Sequence, residues 1–280
     1  MKLAIHEAML PGRSLKERYQ QAKNLGFDGI ELFAEGLDER IMDVAMALDA
    51  VDLSVASVHL GKIEGYLSPD SPTREKAISN MRQAMAMAVD LNANHVVFVP
   101  QWGNLLTPDM TPYRSSEELA SELLIWLLRT VSDLAYALGC LLHIQPRNRF
   151  ETQFLNTVPQ ASKFLDVIQM KRETGKVDNP FIKIAPNTFD MALEEDNLIE
   201  ALKQHGHRLG YLYLSDSNGR LPGQGLLDFA TIASALKETN YEGWLCLRVN
   251  PLPKNPADEA YPLLDALPDT IELLEKVGLH

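Results

Sequence analysis

The chain has 280 residues, of which 46% are hydrophobic and 23% charged, with a formal net charge of -12 and two cysteines. That length can bury one large core. The acidic balance repels phosphate backbones, no apolar run approaches the roughly 18 residues of a membrane span, and Cys140 and Cys246 lack any disulfide or zinc-site spacing.

From the N-terminus, Leu3 to Ala8 reads as a buried strand, and Ser14 to Asn24 as a helix closed near Gly26. The start, MKLAIHEAML, turns polar at His6 and Glu7, too early for a signal peptide, so a cytoplasmic protein is expected. Gly29 to Phe33 and Leu53 to Leu60 are the next strands, each followed by a helix, at Asp38 to Val51 and Ser71 to Leu91. In the latter, Met81, Met85 and Met87 with Ala84 and Ala88 mark a core face. His95 to Pro100 precedes a helix from Ser116 to Leu138, framed by a Ser115/Glu118 capping box and by Gly139. Leu141 to Gln145 ends at Pro146, and Asn156 or Thr157 can cap Val158 to Met170. The last three units pair Phe181 to Pro186 with Glu194 to Gln204, Gly210 to Ser215 with Leu227 to Glu238, and Trp244 to Val249 with Tyr261 to Val277.

Eight strand-helix units with no GxGxxG turn predict an α/β fold, a single-domain (β/α)8 TIM barrel spanning 1–280. The longer connections, Gly61 to Asp70, Trp102 to Arg114, Pro146 to Asn156, Asp216 to Gly225 and Asn250 to Glu259, all follow strands. In such a barrel they build the face that carries active sites. Polar residues gather there, among them His6, Glu7, Glu31, His59, Trp102, Gln145, Arg147, Asn148, Arg149, Glu151, Asn187, Asp190, Tyr213, Asp216, Asn218, Arg248 and Asn250. His143 reads as a satisfied interior histidine, and His205 and His207 as helix-end imidazoliums. Glu31 is either a buried acid paired with an arginine or amide, or a substrate contact. Arg248, in CLRVN, needs a carboxylate or an anionic ligand facing it.

GFDGIELF, YLSPDSPTREKAI, NRFETQFLNT, NTFDMALEE, YLSDSNGRLPGQGLLDF and YEGWLCLRVNPLP together resemble the xylose isomerase-like barrels, in particular the sugar isomerases and epimerases of the ketose 3-epimerase type. The resemblance implies one divalent metal held by Glu, Asp, His and Glu at the ends of the fifth to eighth strands, with the two glutamates moving protons. At those positions this chain has Gln145, Asn187, Tyr213 and Arg248. Two amides, a phenol and a guanidinium offer a hard cation no negative charge, so no metal is expected at the usual site.

The resemblance further implies that His59, Gln145, Arg147, Asn148, Asn187, Tyr213, Asp216 and Asn218 bind substrate, while Glu151, Asp190 and Arg248 remain for catalysis. The expectation that follows is a metal-free protein binding a carbohydrate or sugar acid, with Arg248 in the metal's place, where its charge takes an anion or pairs with Glu151, Asp190 or Asp216. The alternative is an active isomerase or epimerase, with Arg248 as electrophile and Glu151, Asp190 or His59 as base. In a variant of it, Mn, Mg, Co or Zn relocates to Asp190, Asp216 and Glu151. The apurinic endonuclease branch of the fold needs many strand-end histidines, so nucleic acid is not an expected partner. A homodimer is expected by analogy, and the Thr107 to Arg114 loop is a candidate docking segment.

Overall fold

The computed structural model describes residues 1–169, 179–254 and 260–280. Eight strands, β1 (Lys2–His6), β2 (Gly29–Phe33), β3 (Ser54–His59), β4 (His95–Phe98), β5 (Leu141–Ile144), β6 (Ile182–Ile184), β7 (Tyr211–Leu214) and β8 (Trp244–Leu247), form one parallel sheet in the order β6-β5-β4-β3-β2-β1-β8-β7. Bridges from Ile184 to Leu209 and from Asn187 to Tyr213 bring β6 and β7 together, so the sheet curls into a (β/α)8 barrel. Around it lie α1 (Leu15–Asn24), α2 (Leu37–Asp49), α3 (Ser71–Asp90), α4 (Ser116–Leu138), α5 (Val158–Ile168), α6 (Thr188–Glu194), α7 (Leu198–His205), α8 (Phe229–Glu238) and α9 (Tyr261–Val277). Among the described residues, no helix is long and apolar enough to cross a membrane.

Local signals in the chain set most of these boundaries. Ser115 and Glu118 satisfy each other's backbone amides at the start of α4, and Gly139 ends that helix in the left-handed region. Thr157 and Gln160 form a second capping box at α5. Met170, the expected end of that helix, and residues 255–259 of the connection after β8 lie outside the described residues. The sixth unit departs from expectation. Instead of one helix from Glu194 to Gln204, the Asn187 side chain accepts from the Phe189 amide and starts α6 directly after the strand. The chain then breaks and restarts at α7, which Asn197 caps. His205 and His207 also differ, because burial first and Arg208 second lower their pKa values and disfavour the imidazolium.

Strand alternation divides the core. Outward residues such as Leu3, Ile5, Ile30, Leu142 and Leu212 pack with the helices. Inside, small Ala4, Ala56 and Ala185 leave room for Tyr211, Tyr213 and Trp244. His143 is buried, as its parity predicts, with His95 at 2.8 Å and stacked on it. Gly210 enters β7 against that ring, and a Cβ there would come within 2.5 Å of His143 Cε1. Both cysteines are free and buried.

Burial is the first cause that holds His6, His59, His95 and His143 below the usual imidazole range, His95 at about 4. The unfolded chain takes up these protons below about pH 6.5 while the folded chain resists, so acid lowers stability. Glu31 and Asp190, raised by burial, act in the opposite sense. His95→Gln is therefore expected to make the loss of stability between about pH 6.5 and 5 shallower by roughly 1 kcal/mol per pH unit. Urea unfolding of both proteins across that range measures the slopes, and equal slopes would remove His95 from this account.

Candidate functional site

The floor of the C-terminal face is a carboxylate. Glu31, fully buried on β2, accepts from Ser57 Oγ at 2.7 Å and from Tyr213 OH at 2.6 Å, and Arg248 Nη1 stands 3.3 Å from its other oxygen. Ser57 reaches it through an irregularity in the β2/β3 register, where Ile30 pairs with Val55 but Glu31 with Ser57. The guanidinium of Arg248 also lies over the rings of Phe33 and Tyr213, at 5.6 and 5.2 Å. Burial raises the Glu31 pKa, with Arg248, Tyr213 and Ser57 opposing. The partner of Arg248 is thus Glu31. Glu151, Asp190 and Asp216, the expected alternatives, are each engaged elsewhere.

A relay of backbone amides orients the neighbouring side chains. Gly61 N donates to His59 Nδ1 at 2.8 Å, which leaves the proton of the neutral ring on Nε2. That proton goes to Gln145 Oε1 at 2.9 Å, so Gln145 presents Nε2 with no protein partner. Asn187 is fixed likewise, because Oδ1 caps α6 and Nδ2 stays unpaired. His6 Nδ1 accepts from Ala8 N at 3.1 Å, leaving Nε2 as a buried, unpaired donor.

These orientations bear on a metal at the family's usual position. A cation would need the amide oxygens of Gln145 and Asn187, and both already accept from N–H groups. The Tyr213 hydroxyl donates to Glu31, and Arg248 brings a positive charge. The residues present do not fit a hard cation. Among the described residues, no group of three or more His, Cys, Asp or Glu is placed to hold a metal ion.

A second ion pair stands beside the first. Arg147 Nη1 lies 3.1 Å from Asp190 Oδ2, and both side chains are buried. Asn148 donates to Asp190 Oδ1 through its backbone amide, at 3.2 Å, and through its side chain. Burial raises the Asp190 pKa, with Arg147 the first opposing influence. Glu151, partly exposed, approaches Arg147 at 3.8 Å, and Trp102 lies under the same guanidinium at 5.7 Å. Arg149 turns outward to Glu194. Asp216 accepts from the amides of Ser217, Gly223 and Leu227 at 2.7 to 3.0 Å, and Asn218 is exposed in the same loop. The fold therefore gathers His59, Gln145, Arg147, Asn148, Asn187, Asp190, Tyr213 and Arg248, with Glu151 at their edge, and places Asp216 and Asn218 in loop structure. His6 and Ser57 join the cluster. His6 is among the strand-end polar residues legible in the sequence, though not among those expected to bind substrate, whereas the strand irregularity hides Ser57.

A family model described as xylose isomerase-like TIM barrel matches residues 19–274. The 3-dehydro-D-guloside 4-epimerase of Escherichia coli (strain K12) is 25% identical over 254 residues, covering 88% of this chain and 90% of that protein. The L-ribulose 3-epimerase of Mesorhizobium japonicum is 26% identical over 246 residues, covering 86% and 78%. The crystal structure of apo 3-keto-D-glucoside 4-epimerase from E. coli superposes with a TM-score of 0.81 at 23% identity, over 99% of each chain, a likeness of fold.

Removing Glu31 would strand a buried guanidinium. Glu31→Ala is expected to cost roughly 3–5 kcal/mol, and Arg248→Met in the same chain to recover part of it. Urea unfolding of the two single variants and the double variant gives the coupling, and additive losses would show that the pair does not act as a unit.

Proposed function

The chain belongs to the xylose isomerase-like TIM barrel family, and from that membership we propose that it binds a carbohydrate or sugar acid in the strand-end cluster without a metal ion. One observation carries the reading: at the four positions where the family's ligands are expected, the coordinating oxygens of Gln145, Asn187 and Tyr213 are engaged, and the fourth position holds a guanidinium. Sugar hydroxyl and carbonyl oxygens suit such unpaired N–H donors, because buried donors are costly to leave unmade. The relatives named above are sugar epimerases, which supports a sugar as the ligand class.

The same relatives favour a second reading, an active sugar epimerase. Arg248 would then polarise a carbonyl oxygen as the electrophile. Asp190, whose pKa burial raises, or Glu151 would take the proton from the adjacent carbon. A metal relocated to Asp190, Asp216 and Glu151 has less support, since the Asp216 oxygens serve three loop amides.

Two measurements separate these readings. Metal-stripped protein is expected to unfold at the same temperature with and without Mn²⁺, Mg²⁺, Co²⁺ or Zn²⁺, whereas specific binding at about 100 times Kd would add roughly 2.7 kcal/mol. A clear shift would overturn the metal-free reading. Turnover of ketoses in excess chelator, lost in Asp190→Asn or Glu151→Gln, would establish the second reading over simple binding.

A further inference from the structure

Three of the unpaired buried atoms at the strand ends are N–H donors with their acceptor side already engaged. His6 Nε2, Gln145 Nε2 and Asn187 Nδ2 are all buried without a protein partner among the described residues. None can turn to offer an acceptor without losing a bond, since Ala8 N, His59 Nε2 and Phe189 N hold the opposite atoms. The fourth member is Arg248, whose side chain keeps 11% of its surface exposed while Glu31 keeps none. Part of the Arg248 side chain thus stays open to solvent, and its counter-ion is sealed beneath it.

Counting acceptor sites decides what fits. A carbonyl oxygen has two lone pairs, whereas an ionised carboxylate offers about four acceptor sites and pairs well with a guanidinium. Three unpaired donor groups and Arg248 exceed what one carbonyl can accept, so a neutral sugar would have to add hydroxyl oxygens, whereas a single carboxylate carries enough acceptor sites by itself. Acceptors stand elsewhere in the cluster: Asp190 Oδ2 is buried without an aligned hydrogen bond, and Glu151 is partly exposed. Those carboxylates suit hydroxyl donors. A polyhydroxy carboxylate matches both polarities.

We propose that the ligand is a sugar acid whose carboxylate sits on His6, Gln145, Asn187 and Arg248, where the family would place a cation, with its hydroxyls toward Asp190 and Glu151. The assignment rests on the metal-free carbohydrate reading above and adds the chemical class of the ligand.

Calorimetry in chelator on metal-stripped protein tests it with matched pairs: D-glucuronate against D-glucose, D-galacturonate against D-galactose, and D-gluconate against D-glucitol. At least one acid is expected to bind at least about tenfold more tightly than its neutral partner. Asn187→Asp and Gln145→Glu each keep the oxygen that holds Phe189 N or His59, and put a carboxylate oxygen where the unpaired NH₂ stood. Each is expected to reduce the preference for acid by about tenfold or more. Circular dichroism and thermal unfolding confirm folding of both variants. Equal binding of acid and neutral sugars, or a preference untouched in both folded variants, overturns the carboxylate seat and leaves the metal-free reading standing. Binding of these sugars only after a divalent metal is added overturns both.

Discussion

A guanidinium at the mouth of a barrel strand is tolerable only if a negative charge meets it under cover from water. In this protein Glu31 meets Arg248, and much of the neighbouring arrangement follows. Tyr213 is held because its hydroxyl completes the carboxylate, and Ser57 because the β2/β3 irregularity turns it to the same atom. Phe33 and Tyr213 flank the guanidinium with aromatic faces.

The polarity of the site comes from backbone amides at strand ends. Ala8, Gly61 and Phe189 each donate to a side chain, directly fixing His6, His59 and Asn187, and through His59 fixing Gln145. Each bond fixes which side of the group faces the backbone. Three local turns thus engage the acceptor side of His6, His59, Gln145 and Asn187 and leave N–H groups of His6, Gln145 and Asn187 unpaired. The pair Arg147 and Asp190 stands beside them with its own charges matched.

The loops that carry this chemistry are themselves braced. Asp216 ties three amides of the β7 loop together, and Gly219, at a positive φ, packs with the Asn250 carbonyl 2.5 Å from where a Cβ would sit. Below the site, the buried His95 and His143 share one hydrogen bond as neutral rings, and Glu31 sits between this interior and the strand ends. The strand-end cluster and the buried core beneath it therefore belong to the same inward-facing rows of side chains.

The sequence by itself determined the barrel. Apolar runs of strand length alternating with helical periods, and caps such as Ser115, Thr157 and Gly139, are local signals that tertiary contacts reinforced. It also determined which residues stand at the strand ends, because side chains alternate: Gln145, Asn187, Tyr213 and Arg248 share the parity of inward His143, Ala185, Tyr211 and Cys246. Only the tertiary structure decided who pairs with whom. Glu31 and Arg248 are 217 residues apart and meet only when β1 brings β2 and β8 to its two sides. The direction of each amide was equally invisible, since Asn and Gln carry donor and acceptor alike, and the choice belongs to the neighbouring N–H that the fold brings to them.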